Sequence, residues 1–336
     1  MPTLLAGDIG GTKTLLALYR CQGELLEPLC SRRYSSGEWS DLAPMVQAFL
    51  AEARETGAAD AAPAAACFAV AGPVQQGAAR LTNLPWQLRA KELSSATGIT
   101  AVELVNDFAV LIYGLHHLGT AQQATIRQGI ACGDEPLLVL GAGTGLGVAY
   151  GVPGPDGLMA VASEAAHAEF APRHQAEWEL KQWLAADLRI PRVSIERVVS
   201  GTGLGHVARW LLSQRHPDGD HPLQQVSGDL PAAVANAAAL GDPLARDALD
   251  LWLGAYGSVA GDLALTGLCR GGIWLAGGTA GKLLMELRSP VFRRAFLDKG
   301  RLAAVLEPIP ITAVTDPAVG EFSAACRARM LLGTVS

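Results

Sequence analysis

Apolar and polar residues alternate along this chain in blocks that predict a mixed α/β protein. Residues 3–34 read as three strands, of which the first two are joined by a glycine turn. Ser40 or Asp41 can cap a helix running to about Glu55, because small polar side chains accept hydrogen bonds from the first free amides of a helix. The pattern then predicts a buried strand over 64–71, a short helix over 88–96, a strand over 102–105 and a helix from Asn106 through Leu115.

From about residue 110 the second half repeats this plan with insertions. The longest helical candidate, 243–265, carries an apolar stripe that we interpret as core. The other predictions are three strands within 137–162, a helix over 177–187, a segment over 193–199 ahead of a Gly201-Thr202-Gly203 turn, an exposed loop over 217–220, a strand over 272–276, a Gly277-Gly278 turn, a helix over 280–288 and a last helix over about 318–332.

The stretch 139–149 holds the most distinctive local pattern. Apolar residues flank a turn in which four glycines, Gly141, Gly143, Gly145 and Gly147, alternate with other residues. Glycine lets the backbone reach positive φ and approach a ligand closely, so that a row of N–H groups can cradle a phosphate. An ordinary β-hairpin would give the same pattern, and this stretch alone leaves both interpretations open.

A second stretch of this kind, 4–19, lies near the start of the chain, with Gly10-Gly11-Thr12 at its turn. Two such hairpins predict an internally duplicated architecture, in which two similar domains face each other across a nucleotide. The G-x-x-x-x-G-K-[ST] pattern of a Walker loop is absent. A dinucleotide-binding fingerprint is excluded as well, because each glycine turn is followed by more strand and not by a helix.

Together these motifs resemble the bacterial glucokinases, members of the superfamily that includes actin, sugar kinases and heat-shock ATPases. The resemblance covers nearly the whole chain and follows the family's order. Its landmarks are Gly7-Asp8-Ile9-Gly10-Gly11-Thr12, Thr82-Asn83-Leu84-Pro85-Trp86, Val105-Asn106-Asp107-Phe108, the 141–147 turn, Glu164 with His167, Glu196-Arg197-Val198-Val199-Ser200-Gly201 and Leu275-Ala276-Gly277-Gly278.

This resemblance implies an α/β fold of duplicated actin-like (ribonuclease H-like) domains with a central cleft. The small domain would comprise 1–110 plus about 316–336, and the large domain 111–315. The implied reaction is ATP-dependent, Mg²⁺-dependent phosphorylation of glucose at its 6-hydroxyl by a homodimer, with glucose and ATP as partners. Because no signal peptide or membrane span is predicted, we expect the protein in the cytoplasm. The alternatives are a kinase for another hexose, or a non-catalytic nucleotide-gated actin-like or sugar-sensing module.

The resemblance also assigns roles to individual residues. Asp107 would be the catalytic base, and Asn106, Glu164, His167 and Glu196 would bind the sugar. Asp8 would reach Mg²⁺ through water. The nucleotide would contact Gly10, Gly11, Thr12, Gly143 and Thr144 at its phosphates and Gly277 and Gly278 at its adenosine.

Local sequence leaves other interpretations of these residues open. Asp107 could cap the helix that follows it, and it could do so while also acting as a base. His167 could be an ordinary packed or surface histidine, although Glu164 three residues earlier would share a helical face with it. Glu196 could form a surface ion pair with Arg197, and Lys13 could either stabilise transferring charge or remain solvated.

The composition of the chain limits the classes of partner that we expect it to bind. The net charge is −6 with no block of like charges, which argues against nucleic acid or an anionic membrane surface. Six cysteines lack C-x-x-C pairing, so we expect free thiols and no metal site. No apolar run is long enough to span a bilayer, and no signal peptide is predicted.

Two departures refine the resemblance. The zinc-binding cysteine cluster of the related repressor and sugar-kinase family is missing after His167, so no zinc is expected, and a DNA-binding repressor is disfavoured. Ala165 and Ala166 stand where bacterial glucokinases have two glycines. Two adjacent alanines in the left-handed region would be costly, so we expect helical angles that hold Glu164 and His167 on one face.

Overall fold

The computed structural model describes residues 1–58, 62–81, 84–155 and 157–334. Thr82 and Asn83 of the Thr82–Trp86 landmark lie outside the described residues. The strands are β1 (Thr3–Ile9), β2 (Lys13–Gln22), β3 (Leu25–Ser35), β4 (Ala65–Val70), β5 (Val74–Gln75), β6 (Ala78–Arg80), β7 (Gln87–Arg89), β8 (Ala101–Asn106), β9 (Gln123–Arg127), β10 (Leu137–Ala142), β11 (Leu146–Gly154), β12 (Gly157–Ser163), β13 (Ile273–Ala276) and β14 (Ile311–Val314).

The helices alternate with these strands, and several 3₁₀ turns join them. They are α1 (Leu42–Glu55), α2 (Ala90–Thr97), α3 (Gln175–Asp187), α4 (Gly201–Arg215), α5 (Leu230–Ala239), α6 (Pro243–Thr266), α7 (Gly278–Lys282), α8 (Leu284–Leu287), α9 (Pro290–Leu297), α10 (Ala303–Leu306) and α11 (Val319–Leu331). In the described part of the chain, no helix combines the length and the apolar character needed to cross a membrane.

The chain divides into two compact units. The first comprises Met1–Leu118, Gly154–Ala162 and Pro317–Ser336, and the second comprises Gly119–Pro153 and Ser163–Asp316. In the first unit the strand order is β3-β2-β1-β4-β8. Here β1 pairs antiparallel with β2 and parallel with β4, which pairs parallel with β8.

The second unit repeats this arrangement. Its strands follow the order β11-β10-β13-β14-β9, with β10 antiparallel to β11 and parallel to β13, which is parallel to β14. In each unit one inner strand, β1 or β10, therefore forms a hairpin on one side and a parallel pair on the other. This correspondence confirms the duplication that the two glycine hairpins predicted.

Alternation along β1 explains how the first unit positions an acid. Leu5 and Ile9 pack into a core cluster with residues of α1. Asp8 points to the other side, because successive side chains of a strand alternate between faces, and its Oδ2 lies near Gly320 of α11. The C-terminal end of β1 thus presents a carboxylate beside the N-terminal part of α11.

The core of the second unit is built around α6. The predicted stripe is buried as expected, with Trp252 and Tyr256 fully inaccessible to solvent. Trp252 and Tyr256 contact each other edge to face at 5.3 Å between ring centroids, and Tyr256 contacts Phe292 of α9 at 5.7 Å. Edge-to-face contacts of this kind add to the stabilisation from burial.

Two helix predictions and one turn prediction are wrong. The segment after Asn106 forms 3₁₀ turns over Ala109–Tyr113 and Leu115–His117 and no α-helix, and Gly114 there lies too close to Ser323 to carry a side chain. The predicted Gly201-Thr202-Gly203 turn instead begins α4, with the Ser200 hydroxyl accepting from the Gly203 amide at 2.9 Å. The predicted 280–288 helix is two short helices, α7 and α8, and α7 already begins at Gly278.

Candidate functional site

Within the first unit, the carboxyl ends of three parallel strands bring Asp8, Asn106 and Asp107 together. Ile9 of β1 is in register with Val70 of β4, which is in register with Asn106 of β8. The Asp107 amide continues this row by donating to the Val70 carbonyl at 2.9 Å. Polar side chains that follow such strands lie at the sheet edge where α/β proteins bind ligands.

Asn106 holds Asp107 in place. Its Nδ2 donates to the Gly72 carbonyl and to Asp107 Oδ1, each at 3.1 Å. Its Oδ1 accepts from the amides of Phe108 and Ala109 at 3.1 and 3.0 Å. The helix that Asp107 could have capped is absent. The amide group of Asn106 is fully engaged by these four bonds.

The environment of Asp107 favours its protonated form. Burial, followed by the neighbouring Asp8 carboxylate, raises the pKa of Asp107 from 3.8 to about 6, against the lowering effect of nearby hydrogen-bond donors such as Asn106. The Asp8 side chain is open to solvent, yet the protein atoms around it raise its pKa, and Arg33 opposes this rise. A carboxylate with a pKa near 6 can accept a proton at neutral pH.

The first hairpin turn also belongs to this unit. The Gly10 amide donates to the Lys13 carbonyl at 3.0 Å, closing the turn. Ser36 braces it, since its hydroxyl donates to the Gly10 carbonyl at 2.9 Å and its amide to the Thr12 carbonyl at 3.0 Å. Within the described residues, the amides of Gly11 and Thr12 have no hydrogen-bond acceptor, so both N–H groups are free for an anion.

In the second unit, the second hairpin turn is built in the same way. The Gly143 amide donates to the Gly145 carbonyl at 2.8 Å, whereas the amides of Thr144 and Gly145 have no acceptor among the described residues. Neither turn uses positive φ at Gly10, Gly11, Gly143 or Gly145, contrary to the expectation from glycine content. At two of these positions a side chain is excluded by the close approach of other atoms. A Cβ on Gly10 would lie 2.9 Å from a carbonyl oxygen, and one on Gly145 would lie 2.4 Å from Glu196.

Next to this turn lies a cavity of about 440 Å³. It brings together Gly143, Thr144 and Gly278 of the predicted nucleotide residues. Gly277 is in the left-handed region at φ 81°, and a Cβ there would lie 2.9 Å from the Ala142 carbonyl oxygen. The Thr279 hydroxyl donates to the same oxygen at 2.7 Å, which fixes the start of α7 against the end of β10.

Sequence reasoning missed several polar residues of this cavity, namely Thr202, Asp229, Thr279 and Lys282. Asp229 could have been found, because Asp229-Leu230-Pro231 is a typical helix start, and its carboxylate indeed caps α5 by accepting from Ala232. Thr202 was hidden by the incorrect turn prediction at Gly201–Gly203. No local sequence pattern marks Thr279 or Lys282 as residues of a binding cavity.

Glu164 and His167 lie together on a 3₁₀ turn of the second unit. Ala165–His167 forms this turn with negative φ at both alanines, as expected. The Glu164 Oε2 and His167 Nε2 atoms are 3.6 Å apart, and both side chains are exposed. Alanine is therefore tolerated here, with the two polar side chains on one face.

The segment that carries Glu196 lies directly beside the His167 turn. The Ile195 amide donates to the Ala168 carbonyl at 2.9 Å, and Arg192 donates to the His167 carbonyl at 2.7 Å. Glu196 therefore joins Glu164 and His167 within this unit. Its own carboxylate accepts from the Leu146 amide at 3.0 Å and does not pair with Arg197, so the surface-pair interpretation is wrong.

The cysteines and the possible metal ligands can be considered together. All six cysteines are free thiols, as expected. Among the described residues, no group of three or more His, Cys, Asp or Glu side chains is arranged to hold a metal ion. Asp8 remains the residue whose chemistry and position suit a divalent cation held partly by water.

Comparisons with known proteins cover almost the whole chain. The family model described as Glucokinase matches residues 5–331. A glucokinase of Synechocystis sp. is 41% identical over 344 residues, covering 96% of each chain, and a glucokinase of Chromohalobacter salexigens is 35% identical, covering 93% of each. The crystal structure of a glucokinase from an Antarctic psychrotroph has a TM-score of 0.83 and 27% identity, covering 98% of this chain and 99% of that one.

A more distant structure agrees in fold. The glucokinase of Balamuthia mandrillaris in complex with glucose has a TM-score of 0.77 at 23% identity, covering 98% of this chain and 94% of that one. Together with the repeated sheet order, these likenesses confirm the predicted α/β fold of the actin-like sugar kinases.

Proposed function

The chain belongs to the glucokinase family, and we propose that it transfers the γ-phosphoryl group of ATP to the 6-hydroxyl of glucose with Asp107 as the general base. The observation that carries this proposal is the Asp107 carboxylate, held by Asn106 at a sheet edge with a pKa of about 6. At neutral pH this group is mostly ionised yet more basic than an ordinary aspartate. It can therefore take the proton of the attacking hydroxyl as the O–P bond forms.

The sugar would be oriented by Glu164, His167 and Glu196. Carboxylates accept hydrogen bonds from vicinal hydroxyls, and imidazole can both donate and accept. Asn106 was also predicted to touch the sugar, but its amide is committed to four protein bonds. A direct contact would require Asn106 to exchange one of them, so its main contribution is to aim Asp107.

The nucleotide would be held by backbone and hydroxyl donors. The free amides of Gly11, Thr12, Thr144 and Gly145 suit phosphate oxygens, and the cavity beside Gly278 suits the adenosine. Mg²⁺ fits the Asp8 carboxylate, since this ion is usually bound by one or two carboxylates together with water and phosphates. When bound, it would neutralise charge on the transferring phosphoryl group.

The proposal extends to the organisation of the protein. We assign the small domain to 1–110 plus about 316–336 and the large domain to 111–315, with zinc playing no part; the compact units differ from these bounds in that 111–118 and 154–162 belong to the first unit. A cytoplasmic homodimer is the arrangement that the family resemblance supports. Glucose is preferred over another hexose because the family and the curated relatives share that substrate name.

The test measures glucose 6-phosphate formed from glucose, ATP and Mg²⁺ by coupling it to NADP⁺ reduction. We expect turnover by the wild type and a fall in kcat of roughly 10²–10⁴-fold in Asp107→Asn, because general-base catalysis typically contributes that much. Binding of glucose should be retained in Asp107→Asn. The matched control is Asp134→Asn, an exposed aspartate outside the site.

Each outcome bears on a separate part of the proposal. A wild-type kcat in Asp107→Asn would remove Asp107 from the role of base. Absence of product from glucose, together with product from mannose, fructose or glucosamine, would replace glucose by another hexose. Absence of product from every sugar would favour the non-catalytic alternative.

A further inference from the structure

Glu196 was expected to bind the sugar, and its carboxylate is also bonded to the turn proposed to hold phosphates. Glu196 Oε2 accepts from the Leu146 amide at 3.0 Å. The same oxygen lies against Gly145, where an added Cβ would be only 2.4 Å away. One carboxylate oxygen thus packs directly on the backbone of the second hairpin turn.

The chain that follows Glu196 makes two more bonds to this turn. The Gly201 amide donates to the Gly143 carbonyl at 2.7 Å, and the Thr202 hydroxyl donates to the Thr144 carbonyl at 2.8 Å. We call Glu196, Gly201 and Thr202 the turn brace. It fixes both carbonyls that flank the free amides of the turn.

The turn brace is itself anchored in the core. The Ser200 hydroxyl donates to the Glu196 carbonyl at 2.8 Å and accepts from the Gly203 amide. Behind it, the fully buried Trp252 indole donates to the Ser200 carbonyl at 2.9 Å. Because these partners are held by α4 and α6, the position of the Glu196 side chain is set by rigid elements.

Loss of the Glu196 carboxylate would leave the Leu146 amide without an acceptor. Leu146 is buried, and an unsatisfied donor at such a place is costly. The turn would relax to find another partner, which would displace the adjacent Gly145 and Thr144 amides from the arrangement that suits an anion.

We propose that Glu196 is a positioning residue for the nucleotide phosphates as well as a ligand of the sugar. One carboxylate oxygen fixes the turn, while the other, Oε1, accepts no hydrogen bond within the described residues and can receive a sugar hydroxyl. This inference rests on the proposed function. Its distinctive consequence is that Glu196 affects nucleotide affinity in the absence of any sugar.

The test is titration calorimetry of the full chain with the non-hydrolysable ATP analogue AMP-PNP and Mg²⁺, without sugar. In Glu196→Ala we expect the Kd to rise roughly 5–50-fold, because a charge-assisted bond is lost and a buried amide is left unpaired. In Glu196→Gln the amide oxygen can still accept from Leu146, so the Kd should stay within roughly threefold of wild type.

Glu164→Ala is the matched control. Glu164 belongs to the same proposed sugar set, but it is exposed and pairs with His167, not with the turn. Its loss should change the Kd for AMP-PNP by no more than about twofold, as for most surface substitutions. A mechanism that acts through the sugar set as a whole would instead weaken AMP-PNP binding in Glu164→Ala and Glu196→Ala alike.

A wild-type Kd in Glu196→Ala would overturn the inference, and so would equal weakening in Glu164→Ala. If Glu196→Ala does not fold, Glu196→Asp replaces it, because the shorter side chain withdraws the carboxylate from the Leu146 amide: weaker AMP-PNP binding supports the inference, and a wild-type Kd overturns it. Failure of the proposed function is distinguishable, because it would appear in the wild type itself, as no binding of AMP-PNP and no glucose 6-phosphate.

Discussion

The pKa of Asp107 is set by influences that act in opposite directions. Burial, followed by the negative charge on Asp8, raises its pKa to about 6, and hydrogen bonds from backbone amides and from Asn106 lower it. A fully solvated aspartate would be a much weaker base, and a more deeply buried one would remain protonated at neutral pH. The hydrogen bond from Asn106 therefore lowers the pKa of the proposed base and also fixes its position.

This tuning predicts the pH dependence of the reaction. The base must be ionised, and the ionised form of Asp107 is present above its pKa and lost as the pH falls through about 6. We expect kcat/KM for glucose to decline about tenfold per pH unit below that value. Initial rates measured across the acid range, with glucose and Mg-ATP both below their KM values so that the profile reports the free enzyme, test this. A profile that stays flat down to the ordinary aspartate range would contradict it.

At the level of single residues, the sequence could predict which residues belong to the candidate site better than it could predict the hydrogen bonds between them. Asn106 and Asp107 were found because they follow a buried strand within a recognisable motif. The bond between Glu196 and the Leu146 amide was not, because it joins residues separated by 50 positions that only the fold brings together. The hydrogen bonds of the Asn106 amide were equally hidden, since its partner Gly72 lies between two other strands, β4 and β5.

At the level of elements, both hairpin turns are held by a hydroxyl-bearing residue from a neighbouring segment. Ser36 binds the carbonyl of Gly10 in the first unit, and Thr202 binds that of Thr144 in the second. In each case the bond leaves adjacent amides of the turn free. The duplicated architecture thus extends from the order of strands to the way the turns are supported.

The main error of element prediction concerns Gly201-Thr202-Gly203. Two glycines disfavour a helix by intrinsic propensity, but here their lack of side chains permits close packing. A Cβ on Gly203 would lie 2.1 Å from the Val198 carbonyl oxygen, and one on Gly201 would lie 2.7 Å from that of Gly143. Tertiary packing, which local sequence does not encode, therefore decided the conformation.

The contact between α6 and α9 offers a test of such close packing. A Cβ on Gly257 of α6 would lie 2.2 Å from the Phe292 carbonyl oxygen of α9. We expect Gly257→Ala to lower the free energy of unfolding by about 1–3 kcal/mol, because overpacking forces the helices apart. Gly281→Ala is the control, since its Cβ would meet nothing nearer than 4.0 Å. Urea unfolding of both variants tests this prediction. Equal unfolding midpoints would show that α9 can shift without a loss of stability.

At the level of the whole molecule, the end of the chain completes the first unit. Arg327 of α11 makes two bonds to the Glu103 carboxylate of β8, at 2.6 and 3.2 Å, across 224 positions of sequence. Its guanidinium also lies 4.8 Å from the centre of the Tyr113 ring. The C-terminal helix is thereby fixed to strand and loop residues from the first third of the chain.

We expect Arg327→Met to destabilise the protein by about 1–3 kcal/mol, because methionine keeps the apolar stem but leaves a partly buried carboxylate without its partner. Arg20→Met is the control. The side chains of Arg20 and its partner Glu27 are 41% and 47% exposed, whereas those of Arg327 and Glu103 are 22% and 33% exposed. Exposed ion pairs contribute only about 0–1 kcal/mol. Thermal unfolding of both variants makes the comparison, and a loss in Arg20→Met as large as in Arg327→Met would contradict it.

The packing of α11 on β1 and β4 also sets an order of events during synthesis. The first unit begins at the N-terminus, but its buried contacts are complete only when residues 319–331 have left the ribosome, whereas the second unit ends at Asp316. At ~5–20 residues per second, the roughly 200 residues between Leu118 and Pro317 take about 10–40 s to translate. Throughout that interval the nascent N-terminal sheet lacks its covering helix, so we expect this half of the protein to be the more exposed to misfolding before synthesis ends.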